Sequence, residues 1–443
     1  MNTSEKFTKR QWWVLLVFGL IGQIAWSVEN MYFNLFVFDT IEPNLNAITL
    51  MVQLSGVAAT LVTLIAGTLS DKCGNRKSFI SIGYIIWGVT VALFGLISPN
   101  LCSALFGVDH DSAVRIALAA VIVGDCVMTL FGSTANDAAF SAWVTDNTEH
   151  SFRGRIESVV SILPLAAMLI VAGGFGILVE AIGYSSVFLA LGAVISCSGV
   201  FGLYFIKDSE RLEKSGTLRD MIYGFKPSSV VSNKPFYVAL LITAIYGIAC
   251  QIFMPYLIIF MTTYLGFEVI EYSIVFGGAI IFGAIINFFL GRLSDKKDKV
   301  SLMYFAAGIM AVGLLAMFFS SFVKEKLPLL ILFGISGFIM IVGFIFVSAL
   351  CGSTVRDHTP EGAVGRLQGV RMVFSVLIPM LLGPAIGNAI NKAQGIVLEN
   401  AGADAMTTEY IPAPEIFLVG AVVTLLIFLV LPVIGKMTKK KSA

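Results

Sequence analysis

Three carboxyls stand inside long apolar stretches of the chain: Glu29, followed by Asn30; Asp125; and Asp137, twelve residues beyond Asp125 and so about 18 Å further along a helix. A charged group is expensive in hydrocarbon, so a carboxyl placed there has a task or a partner. The chemistry open to it is reversible protonation. A carboxyl in a poorly hydrated cavity binds a proton differently from one in water, and a change of hydration makes it take up or release that proton. Glu29 and Asp125 are the candidate proton carriers; each reads equally as a satisfied carboxyl bonded to neighbouring Ser, Asn or backbone. Asp137 either pairs with Arg371 or marks the water boundary. Arg371, five residues past Arg366 and roughly 7 Å into its helix, either contacts a solute or snorkels to the interface.

A second constellation is GTLSDKCGNRK at Gly67–Lys77, with a weaker copy, GRLSDKKDK, at Gly291–Lys299. A glycine near the end of an apolar run, an Asp four residues on and a basic cluster make a short charged hinge, used twice. Candidate latch residues are Gly67, Asp71, Lys72, Arg76 and Lys77 in the first copy and Gly291 and Asp295 in the second. Arg155 and Arg366 join them, each at the start of a helix whose positive dipole end would face one of the Asp side chains. Gly67 and Gly291 are expected to let helices approach closely. The competing reading is that these charges only set topology.

The elements that must position these groups are membrane helices. Of 443 residues, 57% are hydrophobic and 13% charged, too apolar for a soluble globule. A span needs about 20 apolar residues. Twelve are read, at 12–38, 47–69, 78–98, 114–142, 156–182, 185–206, 236–263, 272–293, 300–321, 328–352, 366–392 and 413–435 (spans 1 to 12). Helix is required, because lipid cannot satisfy open backbone groups. With both termini in the cytoplasm, all but Arg115, Lys324, Lys326 and Lys392 of the 29 Lys and Arg fall on the cytoplasmic side. The first span has no A-x-A-like cleavage site and is read as retained.

The chain repeats itself. Thr145–Val159 (TDNTEHSFRGRIESV) aligns without gaps on Arg356–Val370 (RDHTPEGAVGRLQGV), pairing Asp146 with Asp357, Gly154 with Gly365 and Arg155 with Arg366. The reading is therefore an all-α membrane protein, with twelve transmembrane helices in two pseudo-symmetric six-helix bundles. Residues 1–206 form the first bundle, 207–235 a basic cytoplasmic linker that is partly a helix on the leaflet surface or else a disordered tether, and 236–443 the second bundle.

Polar and aromatic side chains inside the spans supply a candidate solute site: Trp26, Asn30, Asn34 and Asn136 in the first half; Tyr246, Gln251, Tyr256, Asn287 and Arg371 in the second. Amides with hydroxyls, and an aromatic face to stack on a sugar ring, suit a carbohydrate. The competing reading is that such residues glue helices together. Pro255 should interrupt its helix near Gln251. Near-zero net charge argues against a nucleic-acid partner. Six scattered Cys without a C-x-x-C pair and three His without i, i+4 spacing indicate neither metal nor disulfide framework. No nucleophile–base pair or phosphate-binding loop suggests an enzyme.

GTLSDKCGNRK resembles the signature of the major facilitator superfamily, with Asn75 where an Arg is usual; the second copy has Asp298 and Lys299 in place of the second Gly. The resemblance covers essentially the whole chain and implies alternating access around a central cavity, by a monomer. Two shorter matches are finer. Gln23–Phe36 (QIAWSVENMYFNLF) is similar to the first span of sucrose/proton symporters through Gln23 and Trp26. Asn136–Asp146 (NDAAFSAWVTD) resembles the fourth span of glycoside–pentoside–hexuronide:cation symporters, including melibiose permeases, and so implies a coupling role for Asp137. The sodium-binding acids of melibiose permeases are missing from Val52–Ala66, which makes a proton the expected coupling ion and sodium less so. The expectation is a proton-coupled symporter of a sugar or glycoside in the plasma (inner) membrane, with no cofactor. A proton-linked exporter of drugs or metabolites is the alternative.

Overall fold

The computed structural model describes residues 7–148, 153–209, 223–294, 298–360, 364–397 and 410–442. They are almost wholly helical. Eleven helical stretches are long and apolar enough to cross a membrane, and one of them, Val159–Phe205, is 47 residues long. That stretch breaks at Gly183, whose φ of 78° and ψ of 158° are open to glycine and to few other residues. It is two spans joined by a one-residue corner, which gives the twelve that the hydropathy pattern predicts. Tyr204, Phe319 and Leu429 are among the large side chains of the spans that stand exposed, as a helix facing lipid requires.

Local sequence sets the ends. Thr8 and Gln11 form a reciprocal cap at the start of span 1. Asn75 caps span 3 by accepting from the Ser78 N–H, and Asp298 caps span 9 by accepting from the Ser301 N–H at 3.0 Å. The two hinge copies thus start their next helix in the same way with different residues. The loop expected at 99–113 contains a short helix, Pro99–Phe106, opened by a Ser98 cap and a proline at its first position. Span 7 is broken where Pro255 predicts, at a tight turn over Met254–Tyr256. Most of the linker segment 207–235, with the leaflet helix expected in it, lies outside the described residues. Tyr223–Phe225 and Pro227–Ser232 are short helical pieces at its end.

The chain divides into two compact units, Met1–Glu42 with Val57–Arg219, and Pro43–Gly56 with Asp220–Ala443. Within unit 1, span 1 packs on span 5, and span 3 packs on spans 4 and 6. Within unit 2, span 7 packs on span 11, and span 9 packs on spans 10 and 12. Adding six to each span number of the first set gives the second, so the internal repeat is one of packing as well as of sequence. The 43–56 segment belongs to unit 2 through hydrogen bonds: Gln53 Nε2 donates to the Leu381 carbonyl at 2.7 Å, and Asn46 Oδ1 accepts from Asn388 at 2.8 Å and Tyr410 at 3.1 Å.

Candidate functional site

Span 4 carries Asp125, Thr129, Ser133 and Asp137 at successive intervals of four residues. That spacing stacks the four side chains on one helix face. Thr129 donates to Glu29 of span 1 at 3.1 Å, and Ser133 donates to Asp137 at 3.0 Å. Glu29 is 8% exposed and Asp125 2%. Both lie within electrostatic range of Cys126, so the two carboxyls share one buried region. Sequence reading picked out the three carboxyls but missed the hydroxyls between them, although the four-residue spacing was there to find.

The other end of this ladder is built around Asp137. Asn136 Nδ2 donates to Asp137 Oδ1 at 3.3 Å, and the Tyr84 hydroxyl lies 2.9 Å from Asn136 Oδ1 and 2.8 Å from the Phe18 carbonyl. Trp26 lies against the Asp137 carboxyl and packs on Trp87 with ring centroids 5.1 Å apart. Span 1 comes this close because residue 22 is glycine: a Cβ there would stand 2.5 Å from Asn136 Oδ1 and 2.6 Å from the Tyr84 hydroxyl. Glu29 opens a wide π-helical turn, Glu29–Phe33, and Asn136 and Asp137 sit in another, Ser133–Phe140. Such turns re-aim side chains and recur at functional sites.

The candidate solute-facing residues separate. Asn30 donates to the Trp26 carbonyl at 2.7 Å and Asn34 to the Asn30 carbonyl at 3.2 Å, each within its own helix. Tyr256 is fully buried; its hydroxyl donates to the Pro384 carbonyl at 2.9 Å and shares a hydrogen bond with Thr49 at 2.8 Å. Asn287 Nδ2 reaches the Gly283 and Val342 carbonyls, at 2.9 Å and 3.1 Å, and ties span 8 to span 10. Tyr256 and Asn287 therefore serve as helix–helix ties, because inside a membrane a polar group is satisfied first by a neighbouring helix. Gln251 is half-buried, beside the break in span 7. Tyr246 and Arg371 line a cavity of about 180 Å³ inside unit 2. Asp137 belongs to unit 1 and Arg371 to unit 2, so the pairing expected between them is not a contact within either unit.

The described hinge residues make their contacts within their own unit. Arg76 is buried. Its Nε donates to Asp146 Oδ2 at 3.0 Å, at the end of span 4, and its Nη1 donates to Ser70. The Lys77 N–H donates to Asp208 at 2.8 Å and the Trp143 indole to the Lys207 carbonyl at 2.8 Å. All of these close unit 1 upon itself. In unit 2, Lys299 pairs with Asp357, the repeat counterpart of Asp146. The close helix approach expected at Gly67 is absent among the described residues, since a Cβ there would meet nothing within 4 Å. Lys72 is exposed. Asp295 and the side chains of Asp71, Arg155, Gly291 and Arg366 lie outside what the structure describes.

Among the described residues, twelve apolar spans in two units that share three packings make a multi-pass membrane protein. The Major Facilitator Superfamily model matches residues 15–384, and the chain belongs to that superfamily of transporters. Two crystal structures of the nucleoside transporter NupG, one of them of a mutant form, superpose with TM-scores of 0.65. They cover 96% and 95% of this chain and 98% and 99% of theirs, at 13% and 14% identity, a likeness of fold. A protein of Lactococcus lactis subsp. lactis (strain IL1403) described as a multi-drug resistance efflux pump PmrA homolog is 26% identical over 222 residues, 48% of this chain. The matched region spans about half the length of that relative, 51%.

Proposed function

We propose that this transporter takes up a small hydroxyl-rich solute, a sugar or glycoside, together with a proton, across the plasma (inner) membrane. Its basic hinge end and both termini face the cytoplasm, and it works as a monomer. The observation that carries the reading is the ladder of Asp125, Thr129, Ser133 and Asp137 along span 4, with Glu29 bonded to its second rung. Two negative charges confined near Cys126 repel, and one bound proton removes the repulsion. The hydroxyls of Thr129 and Ser133 stand between that pair and Asp137, and Asp137 lies beside Trp26. An aromatic ring next to a carboxylate suits a sugar ring and its hydroxyls. The short matches at Gln23–Phe36 and Asn136–Asp146 point the same way. Coupling follows if the ladder is hydrated from one side in one conformation and from the other in the next, with the two units as the moving halves.

A second reading, proton-linked export, has one observation in its favour, the likeness to a protein described as an efflux pump homolog. Uptake of a labelled sugar panel into right-side-out vesicles separates the two. An imposed inward proton gradient should drive accumulation of at least one sugar, and a sodium gradient should not. Protein that is correctly inserted yet accumulates no sugar under either gradient, while vesicles of opposite orientation accumulate lipophilic cations, moves the assignment to export.

A further inference from the structure

The stretch of chain that enters span 7 is held to unit 2 from one side. Tyr223–Phe225 is a single tight helical turn, and Pro227–Ser232 is a second short helix opened by a proline at its first position. Gly224 is buried. A Cβ there would stand 2.4 Å from Val370 Cγ2 and 3.4 Å from Leu367 Cδ2, both buried in the first helix of span 11, Val364–Met372. The Tyr237 hydroxyl of span 7 donates to the Gly224 carbonyl. Ser229 is buried as well, and its carbonyl accepts from Asn233 Nδ2 at 2.9 Å.

The other side of this stretch is apolar and uncovered. Val231 is 65% exposed and Phe225 47%, with Val230 exposed beside them. Lys226 and Lys234 stand exposed at the two ends of the second helix. Depth says what this ledge meets. Val370, against which Gly224 is pressed, lies four residues past Arg366, where the hydropathy pattern starts span 11, and so about 6 Å into that span. An interfacial segment buries its apolar face about 5–10 Å into the boundary between headgroups and acyl chains. The ledge is level with that boundary. Lysines at such a level carry their ammonium groups outward to the headgroups on flexible stems.

We infer that residues 223–234 form a membrane anchor for anionic phospholipid: Phe225, Val230 and Val231 enter the acyl boundary, and Lys226 and Lys234 bind the phosphate groups of lipids on the hinge side. Two observations favour lipid over a soluble partner. The ledge runs directly into span 7, whose surface lipid already covers, and its apolar centre with a cation at each end complements an anionic leaflet. Through Gly224 the anchor bears on Leu367 and Val370, so lipid held here steadies the start of span 11. The inference needs a membrane but neither the proposed solute nor the proposed orientation.

The test is a fluorescent bimane attached at Val231→Cys in the full chain, with the exposed Cys73 and Cys197 replaced by serine, in nanodiscs that present both leaflets. The same protein without Val231→Cys sets the background. Lipid carrying a nitroxide high on its acyl chain should quench the label, and iodide in the water should not. At equal low mole fraction, labelled phosphatidylglycerol should quench more than labelled phosphatidylcholine. A lysine near an anionic surface contributes about a fivefold preference. Lys226→Gln with Lys234→Gln should therefore remove most of the difference between the two lipids, and raised salt should do the same in the protein that keeps both lysines. An unchanged unfolding midpoint in phosphatidylcholine shows that the lysine variant is folded. Iodide access without lipid quenching overturns the anchor and gives the ledge to water or a soluble partner. Equal quenching by both lipids, unaltered in the lysine variant, overturns the anionic lipid. Protection from iodide that appears only with two copies per nanodisc, again without lipid quenching, gives the ledge to a second copy and overturns the anchor too.

Discussion

The spans of unit 1 hold Glu29, Asp125 and Asp137 and no lysine or arginine at comparable depth, whereas those of unit 2 hold Arg371 and no carboxylate there. Three of the helix packings recur in both units: span 1 on span 5 as 7 on 11, span 3 on span 4 as 9 on 10, and span 3 on span 6 as 9 on 12. A duplicated scaffold has therefore kept these packings and divided its chemistry: acid and aromatic in one half, a cation in the other. The hinge shows the opposite balance. Arg76–Asp146 and Lys299–Asp357 are the same tie in each unit, but the first is buried, with Arg76 6% exposed, and the second is solvated, at 34% and 51%. Repetition fixes which groups meet, and burial decides how much the meeting matters.

The sharpest way to break this comparison is at Arg76. Removing one member of a buried ion pair leaves the other charge uncompensated, at a cost of roughly 3–5 kcal/mol. Asp146 retains 25% exposure, so the lower end of that range applies. Arg76→Gln should lower the unfolding midpoint of the purified protein more than any other single change named here, and the double variant Arg76→Gln with Asp146→Asn should recover much of the loss. A double variant no better than the single would mean that Arg76 acts through Ser70 instead.

Next in size is the acid half. Glu29→Gln and Asp125→Asn should each reduce proton-driven accumulation by about 100-fold, the scale on which loss of a proton-transfer group acts. Solute exchange at equal proton concentrations, which needs no net proton release, should persist. Thr129→Val keeps the shape and removes the hydroxyl that bonds Glu29, so its effect should be nearer tenfold. Loss of exchange as well as accumulation in Glu29→Gln would place the carboxyl in solute binding and not in coupling.

The sequence was most legible where one element suffices to decide. Twelve spans, the break at Pro255 and the corner between spans 5 and 6 follow from apolar length and from the backbone chemistry of proline and glycine. The three carboxyls were visible because charge in hydrocarbon is rare. What stayed hidden depends on a second element. Nothing in Gly67–Lys77 says that Arg76 turns inward to Asp146, seventy residues away, while Lys72 points out. Nor does residue type tell an amide or phenol that meets a solute from one that ties helices, as Tyr256 and Asn287 do. Thr129 and Ser133 were legible in principle, by their spacing from Asp125, once a membrane helix is read face by face.

Tyr256 sharpens the other half of the comparison. If unit 2 is held by buried polar ties where unit 1 uses an ion pair, Tyr256→Phe should cost about 1–3 kcal/mol, the desolvation cost of leaving a buried acceptor unmet. Its ring would still fill the same space. The loss should appear in the unfolding midpoint and leave solute affinity unchanged, because the hydroxyl is engaged by Pro384 and Thr49. A fall in affinity at unchanged stability would return Tyr256 to the solute site.

The smallest effect belongs to Lys299. Its pair with Asp357 is the repeat counterpart of Arg76–Asp146, so a scaffold in which position alone set the energy would make the two equally costly to break. Solvent argues otherwise. With both partners at least a third exposed, water and salt screen the attraction, and such pairs contribute about 0–1 kcal/mol. Lys299→Gln should therefore move the unfolding midpoint little, and raising the salt concentration should remove the residual difference from wild type while leaving most of the Arg76→Gln deficit in place. Equal, salt-insensitive losses for Lys299→Gln and Arg76→Gln would show that the hinge tie is held by its geometry in both units, and burial would lose its place as the term that sets them apart.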